Sequence, residues 1–367
     1  MADIQARVED LARRLVDSGA EKAVQVAAYL HGELIVDAYA GEGAAGQEVG
    51  SDSLFHAYST GKGVTATLVH VLVERGLLDY DTPLAAYWPE FGAHGKDRTT
   101  VRDALTHRTG VPQLPPAITP EELCDWDGMC ALIAAQEPLW EPGTASGYHG
   151  WTFGWVLGET VRRATGLDGV AEALRTYVTE PLGIADSLFY GIPDEQAGRV
   201  VPLVAGSWEE MLAAIPADAP FFRAVPNPDV WPCARLANRP DFLRAHAPAG
   251  ATLTARAAAR MYAALLGEVD GVRLLPAERL PSLYELRTRE PDRVLGVPVP
   301  KGLGYFLGRP ETGGEPTAFG HNGSGGSTAF ADPKRGLAFA FTRSRLSAGD
   351  SSAADLAALV REAVDAS

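Results

Sequence analysis

Phe55-His56-Ala57-Tyr58-Ser59-Thr60-Gly61-Lys62-Gly63 is the stretch on which the reading of this chain turns. Ser59 and Lys62 stand at i and i+3, so a helix starting here puts both on one face, a turn apart. Gly61 and Gly63 keep that start uncrowded. Val64, Leu68, Val71 and Leu72 continue an amphipathic run that Gly76 ends. A serine hydroxyl is a poor nucleophile until a neighbour takes or holds its proton. A lysine in a partly desolvated cleft has its pKa lowered enough to help. A serine at a helix start also points its own N–H toward an attacked carbonyl oxygen. The pair alone is weak evidence, because an exposed helix start with a solvated lysine has the same spacing.

Outward from this stretch, the pattern alternates between sheet and helix. Ile4, Val8, Leu11 and Leu15 recur at helical spacing, so residues 3–18 read as an amphipathic helix ended by Gly19. Apolar runs at 24–30 and 33–40 flank His31-Gly32 and predict a β-hairpin. From about 60 to 185 the pattern is helical. Thr99-Thr100 opens a short helix with Val101, Ala104 and Leu105, and Phe153, Val156, Leu157 and Val161 lie on another that Gly166 ends. Residues 205–250, rich in Pro, Trp and Phe, read as a long functional loop or lid. Strand character returns at 302–308, 328–331 and 337–341, and Asp350 caps a closing helix with Leu356, Leu359, Val360 and Val364 on one face. The two ends are expected to share an antiparallel sheet. Residues 1–65 together with 235–367 would form the sheet domain, 66–234 a mostly helical one, with a site in the cleft between them.

Composition narrows the function. The chain has 367 residues, 46% hydrophobic and 22% charged, an ordinary globular balance. Its net charge of −15 argues against nucleic-acid and anionic-membrane partners, which need a basic footprint. Cys124, Cys130 and Cys233 match no zinc spacing and read as thiols in a reducing compartment. Charges interrupt the first ten residues too early for a signal peptide, so a cytoplasmic location is expected. His31, His56, His70, His94 and His246 form no metal spacing, and no metal or cofactor is expected.

Two further segments give the serine a context. Glu141-Pro142-Gly143-Thr144-Ala145-Ser146-Gly147-Tyr148-His149-Gly150 delivers a tyrosine just before a long helix. Phe319-Gly320-His321-Asn322-Gly323-Ser324-Gly325-Gly326-Ser327 is a Gly-rich run before a strand, where backbone can approach a ligand closely. With these segments the sequence resembles the serine β-lactamase and penicillin-binding-protein superfamily. It looks most like the class C β-lactamase and family VIII carboxylesterase branch, which includes small-molecule transesterases. Thr100-Val101-Arg102-Asp103-Ala104-Leu105-Thr106-His107-Arg108-Thr109-Gly110-Val111-Pro112, Glu180-Pro181-Leu182-Gly183-Ile184 and Ala331-Asp332-Pro333 are similar to landmarks of the family, so the likeness runs along nearly the whole chain. It implies an α+β, β-lactamase/transpeptidase-like fold, with an antiparallel sheet flanked by helices and an inserted, mostly helical lobe.

The resemblance also implies roles. Ser59 would be the nucleophile that carries the acyl group. Lys62 would hold the proton network between Ser59 and Tyr148, and Tyr148 would act as general base and then as acid. An ordinary tyrosine is too weakly ionised for that, so Lys62 must stabilise its anion or shuttle the proton. His321-Asn322-Gly323 takes the place of the family's K-T-G triad, and the N–H groups of Ser59 and Ser324 would form the oxyanion hole.

Two departures bear on the substrate. His321 stands where lactamases usually carry the Lys that helps hold the β-lactam carboxylate. Tyr148-His149-Gly150 replaces Tyr-x-Asn, which removes the amide that would orient an acylamino side chain. The expected activity is therefore hydrolysis of a small-molecule ester (an amide or lactam being the variant substrate). The alternatives are acyl transfer to an amine or alcohol, a β-lactamase or D-amino-acid peptidase, and a non-catalytic binding protein. The absence of Gly-x-Ser-x-Gly removes the α/β-hydrolase elbow. His107 is expected to be structural and His149 to line the cleft. Trp126, Trp151, Trp208, Trp231, Phe221 and Phe222 are candidates for an apolar pocket wall.

Overall fold

The computed structural model describes residues 3–43 and 46–367. The helix Ile4–Asp17 leads into β1 (Ala23–Leu30) and β2 (Glu33–Gly41), paired antiparallel. Their turn holds His31 at φ 48° and Gly32 at φ 87°, the left-handed pair that suits the twist of a tight hairpin. A small sheet forms from β3 (Phe55–His56), β4 (Leu188–Phe189) and β5 (Thr252–Leu253) in the order β3-β5-β4. The strands β6 (Phe306–Leu307), β7 (Phe319–Asn322), β8 (Thr328–Asp332) and β9 (Leu337–Arg343) join the first hairpin in one six-stranded sheet, ordered β2-β1-β9-β8-β7-β6. Val24 opposite Arg343 and Leu30 opposite Leu337 fix the seam between the two ends of the chain.

The alternation of side chains sorts this sheet into two apolar faces. Val24, Val26, Ala28, Phe339 and Phe341 bury against Ile4 and Val8 of the first helix and Leu356 and Val360 of the last, Ser352–Asp365. Ala27, Tyr29, Ala338 and Ala340 face the main core, which includes Ala258 and Met261 of the helix Ala255–Leu266. With both faces covered, β1 and β9 are buried almost throughout.

The helix Gly61–Glu74 is buried continuously from Gly61 to Leu72. The sequence pattern predicts an amphipathic helix. Instead it is enclosed on all sides, with Leu157 and Val161 of the helix Thr152–Thr165 in the same core. The division expected between residues 65 and 66 falls inside this helix. The stretch 205–250 is less irregular than its composition suggests. It holds the helices Ser207–Ala214, Pro220–Ala224, Ala234–Ala237 and Pro240–Arg244, none long enough for a hydrophobic period to show. Strand structure within 302–308 is confined to β6, while β7 continues into the Gly-rich run. Ser351, not Asp350, holds the N-cap position of the last helix. Asp350 accepts the N–H of Ser352 at 3.1 Å and its other oxygen takes Arg343 at 2.8 Å.

Candidate active site

Ser59 lies in the single turn Tyr58–Thr60 that feeds directly into Gly61–Glu74. Tyr58 has φ 42°, a strained value for a bulky residue, and its phenol donates to the Cys233 carbonyl at 2.5 Å. The helix start is clamped from two sides. A Cβ on Gly61 would meet the Gly250 carbonyl carbon at 2.3 Å, and a Cβ on Gly323 would meet the Ala57 oxygen at 2.1 Å. Only glycine lets those segments come so close. Ala57 N–H donates to Ala251 O at 2.9 Å and Thr60 Oγ1 to Ser327 O at 3.2 Å, closing both contacts with hydrogen bonds.

Lys62 is fully buried. Its Nζ lies 2.8 Å from Ser59 Oγ and donates to Ala249 O at 3.0 Å. No carboxylate offsets the loss of water, so burial holds this amine well below the ordinary lysine range. The Tyr148 ring centroid is 5.1 Å from the same Nζ. Burial pushes the Tyr148 phenol up, and the neighbouring Ser59 side chain offsets part of the rise. Burial thus favours the uncharged form of both groups beside the serine.

The Tyr148 ring is packed between imidazoles. His107 lies 5.1 Å from it and His321 6.0 Å, the latter stacked at 29°, while Phe306 stacks on His321 at 4.2 Å. His321 is 2% exposed, and burial followed by repulsion from Lys62 holds its imidazole well below the usual histidine range. Its Nδ1 faces the Asn322 carbonyl at 2.8 Å and therefore carries the proton, which leaves Nε2 as a bare acceptor without a partner among the described residues. His107 sits at φ 59° and accepts the His149 N–H on Nδ1 at 3.1 Å. It packs directly on Tyr148, closer to the chemistry than its landmark segment suggests.

His149 is the expected site residue that turns away from the cleft. Thr109 Oγ1 bonds its Nε2 at 2.7 Å and its Nδ1 donates to the Gly147 carbonyl at 2.6 Å. Both nitrogens are spent and the ring is buried, so it stiffens the Tyr148 loop. Gly150 does line the cleft, and a Cβ there would meet nothing nearer than the Tyr148 ring at 3.8 Å. The space is open where an asparagine side chain would begin.

Ser59, Tyr148, Gly150, Trp151, Phe221, Val225, Ala249 and Ser324 line one narrow cavity of about 40 Å³. Neither the Ser59 nor the Ser324 main-chain N–H has an acceptor among the described residues, so both are available to a developing oxyanion. Of the six aromatic residues suggested for a wall, Trp151 and Phe221 serve. Trp126, Trp208 and Trp231 spend their indole N–H on Glu159, Pro232 and Val225, and Phe222 stacks on Trp231. Larger open depressions of about 580 to 690 Å³ elsewhere hold none of the serine, lysine and tyrosine groups. Among the described residues no cluster of His, Cys, Asp and Glu could hold a metal.

Two residues the sequence did not flag complete the surroundings. Asp292 accepts the Tyr148 N–H at 2.9 Å and pairs with Lys301 at 2.9 Å, both side chains buried. The available signal was the scarcity of lysine. With five in the chain, Lys301 could have been weighed on its own.

An antiparallel sheet closed by both chain ends, with a serine–lysine turn at its edge, defines the β-lactamase/transpeptidase-like class of fold. The chain belongs to the Beta-lactamase family, whose description matches residues 8–363. It is 37% identical over 342 residues to the esterase/beta-lactamase LipL of Mycobacterium tuberculosis, across 88% of this chain and 76% of LipL. It superposes on a family VIII carboxylesterase with a TM-score of 0.88 at 32% identity, covering 98% of this chain and 97% of the other. A penicillin-binding-protein homolog from Caulobacter crescentus gives a TM-score of 0.86 at 33% identity, with 98% and 97% covered.

Proposed function

We propose that the chain is a serine hydrolase that cleaves a small-molecule ester through an acyl-enzyme on Ser59. The observation that carries this is the buried, uncompensated Lys62 amine 2.8 Å from Ser59 Oγ, with the Tyr148 ring 5.1 Å from the same amine and lining the same cavity as Ser59. Lys62 begins as the free amine and takes the Ser59 proton as Oγ attacks the ester carbonyl. The carbonyl oxygen gains negative charge beside the Ser59 and Ser324 N–H groups, each worth roughly 3–4 kcal/mol to the transition state. When the ester bond breaks, Tyr148 gives its proton to the leaving alcohol and is reprotonated by the Lys62 ammonium. Water then attacks the acyl-enzyme by the same steps in reverse. Tyr148 is a relay here, because its burial disfavours a standing phenolate.

His321 supports an ester over a β-lactam. A neutral imidazole with a bare Nε2 offers no cation to a substrate carboxylate. The free thiols Cys124, Cys130 and Cys233 suit the reducing, cytoplasmic setting proposed for the reaction. The test is hydrolysis of p-nitrophenyl acetate and butyrate. Ser59→Ala is expected to abolish it and to prevent labelling by a fluorophosphonate. Normal turnover by folded Ser59→Ala protein would sink the reading, and nitrocefin turnover far above ester turnover would move it to a lactamase. Intact-protein mass spectrometry of the acyl-enzyme, with and without added amine, tells whether an amine shortens its lifetime and so whether the enzyme is a transacylase.

A further inference from the structure

Asp292 stands 144 positions from Tyr148 in the chain, yet its carboxylate is saturated around that residue. Oδ1 accepts the N–H groups of Tyr148, Val294 and Leu295, each at 2.9 Å. Oδ2 accepts Lys301 Nζ at 2.9 Å, and Lys301 also donates to Ser146 Oγ at 3.1 Å. Both side chains are about 1% exposed or less. The Ser146 hydroxyl passes on to Thr106 O at 3.1 Å, and its carbonyl accepts Arg293 N–H at 3.0 Å. On the other side, His107 takes the flanking N–H groups, its carbonyl that of Gly147 and its Nδ1 that of His149. Three consecutive N–H groups are therefore tied down, and that of Tyr148 goes to a buried carboxylate.

Two charges removed from water are costly, and apolar side chains of similar size commonly fill such a space as well or better. What an apolar pair cannot do is accept the Tyr148 N–H. A small tilt of that peptide is amplified along the side chain into a larger displacement of the phenol oxygen. Catalysis by a relayed proton tolerates little displacement. We propose that Asp292, held in place by Lys301, is the positioning residue that seats Tyr148 against Ser59 and Lys62. Its catalytic meaning rests on the ester-hydrolase reading, while the seating itself is a matter of geometry.

The test compares two double variants of the full chain. Asp292→Asn/Lys301→Met removes both charges and keeps a carbonyl of the same reach. Asp292→Ser/Lys301→Met keeps a hydroxyl that can still cap the turn at Val294 but falls one bond short of Tyr148. With p-nitrophenyl acetate, the Asn/Met protein is expected to retain kcat within about fivefold. The Ser/Met protein is expected to lose about 30- to 100-fold in kcat with KM within about threefold. In a Tyr148→Phe background the Ser/Met change should cost less than about threefold, because its target is gone. A Ser/Met protein that unfolds cooperatively in urea yet keeps full kcat would overturn the proposal. So would an equal loss with and without the phenol, which marks packing alone. If the Ser/Met protein does not fold, the Asn/Met protein enters the same cycle. Retention of rate within about fivefold, or a loss that vanishes in Tyr148→Phe, supports the seating, and a larger loss that persists there rejects it. A crystal structure of the Ser/Met variant reads the phenol directly. A phenol unmoved relative to Ser59 rejects positioning, whereas a wild-type protein that cleaves no ester rejects the hydrolase reading instead.

Discussion

At the scale of single residues, the proposed chemistry is a contest between a buried amine and a half-buried phenol over one proton. The sequence names Ser59, Lys62 and Tyr148, but their spacing says nothing of how much water each has lost. Burial lowers the Lys62 amine and raises the Tyr148 phenol, which supports the proposed assignment of Lys62 as base. The proposed mechanism needs Lys62 unprotonated, so kcat/KM should rise with pH as one proton leaves it and then stay flat. The midpoint is expected well below the ordinary lysine value of 10.5, with no alkaline limb from Tyr148 up to about pH 10. Lys62→Arg, which cannot give up its proton, should lower kcat/KM by about 10³-fold across the whole range. Initial rates with p-nitrophenyl acetate between pH 5 and 10 check both. A single midpoint near pH 10, or an active arginine variant, would return the base role to another group.

Between elements, the site depends on how closely three segments approach the start of one helix. Gly323, at the end of β7, rests on the turn that carries Ser59. A Cβ there would lie 2.1 Å from Ala57 O and 2.9 Å from Thr60 Oγ1. The Ala57 carbonyl before the serine and the Thr60 side chain after it would both have to move. Gly323→Ala is therefore expected to lower kcat by about 10²-fold with KM little changed, and to cost about 1–3 kcal/mol of stability. Steady-state kinetics beside urea unfolding separate the two effects, and kcat within twofold of wild type would show that the turn can give way. The elements themselves were unevenly legible. Thr100 announces its helix through a capping box with Asp103, and Gly166 ends Thr152–Thr165 in the left-handed region. Both are local signals. Phe319-Gly320-His321-Asn322 shows no alternation of its own, and β7 exists because β6 and β8 flank it. The helices of 207–244 span at most eight residues, about two turns. Asp292 was out of reach altogether, since no local pattern records a contact across 144 positions.

For the molecule as a whole, burial of so much imidazole makes stability a function of pH. Five of the eight histidines, His56, His70, His107, His149 and His321, lie inside the fold. Burial lowers all five, with His56, His70 and His149 each pushed down to about 4. Unfolded, each titrates near 6.5. Between pH 6.5 and about 4 the unfolded chain therefore binds more protons than the native one, and stability falls as pH falls. Their contribution is complete above pH 6.5 and lost on the way down to pH 4. Each histidine removes up to about 1.4 kcal/mol per pH unit within that window. Urea unfolding at half-unit steps from pH 7.5 to 4.5 should show a steep decline that begins near pH 6.5, and His70→Gln should flatten it. His70 is the useful probe because it bonds Tyr80 and Leu303 at 2.7 and 2.9 Å and touches neither Ser59 nor Lys62. If stability were level down to pH 5, the buried rings would have to be protonated in the native state, and the neutral His321 on which the ester preference rests would fall with them.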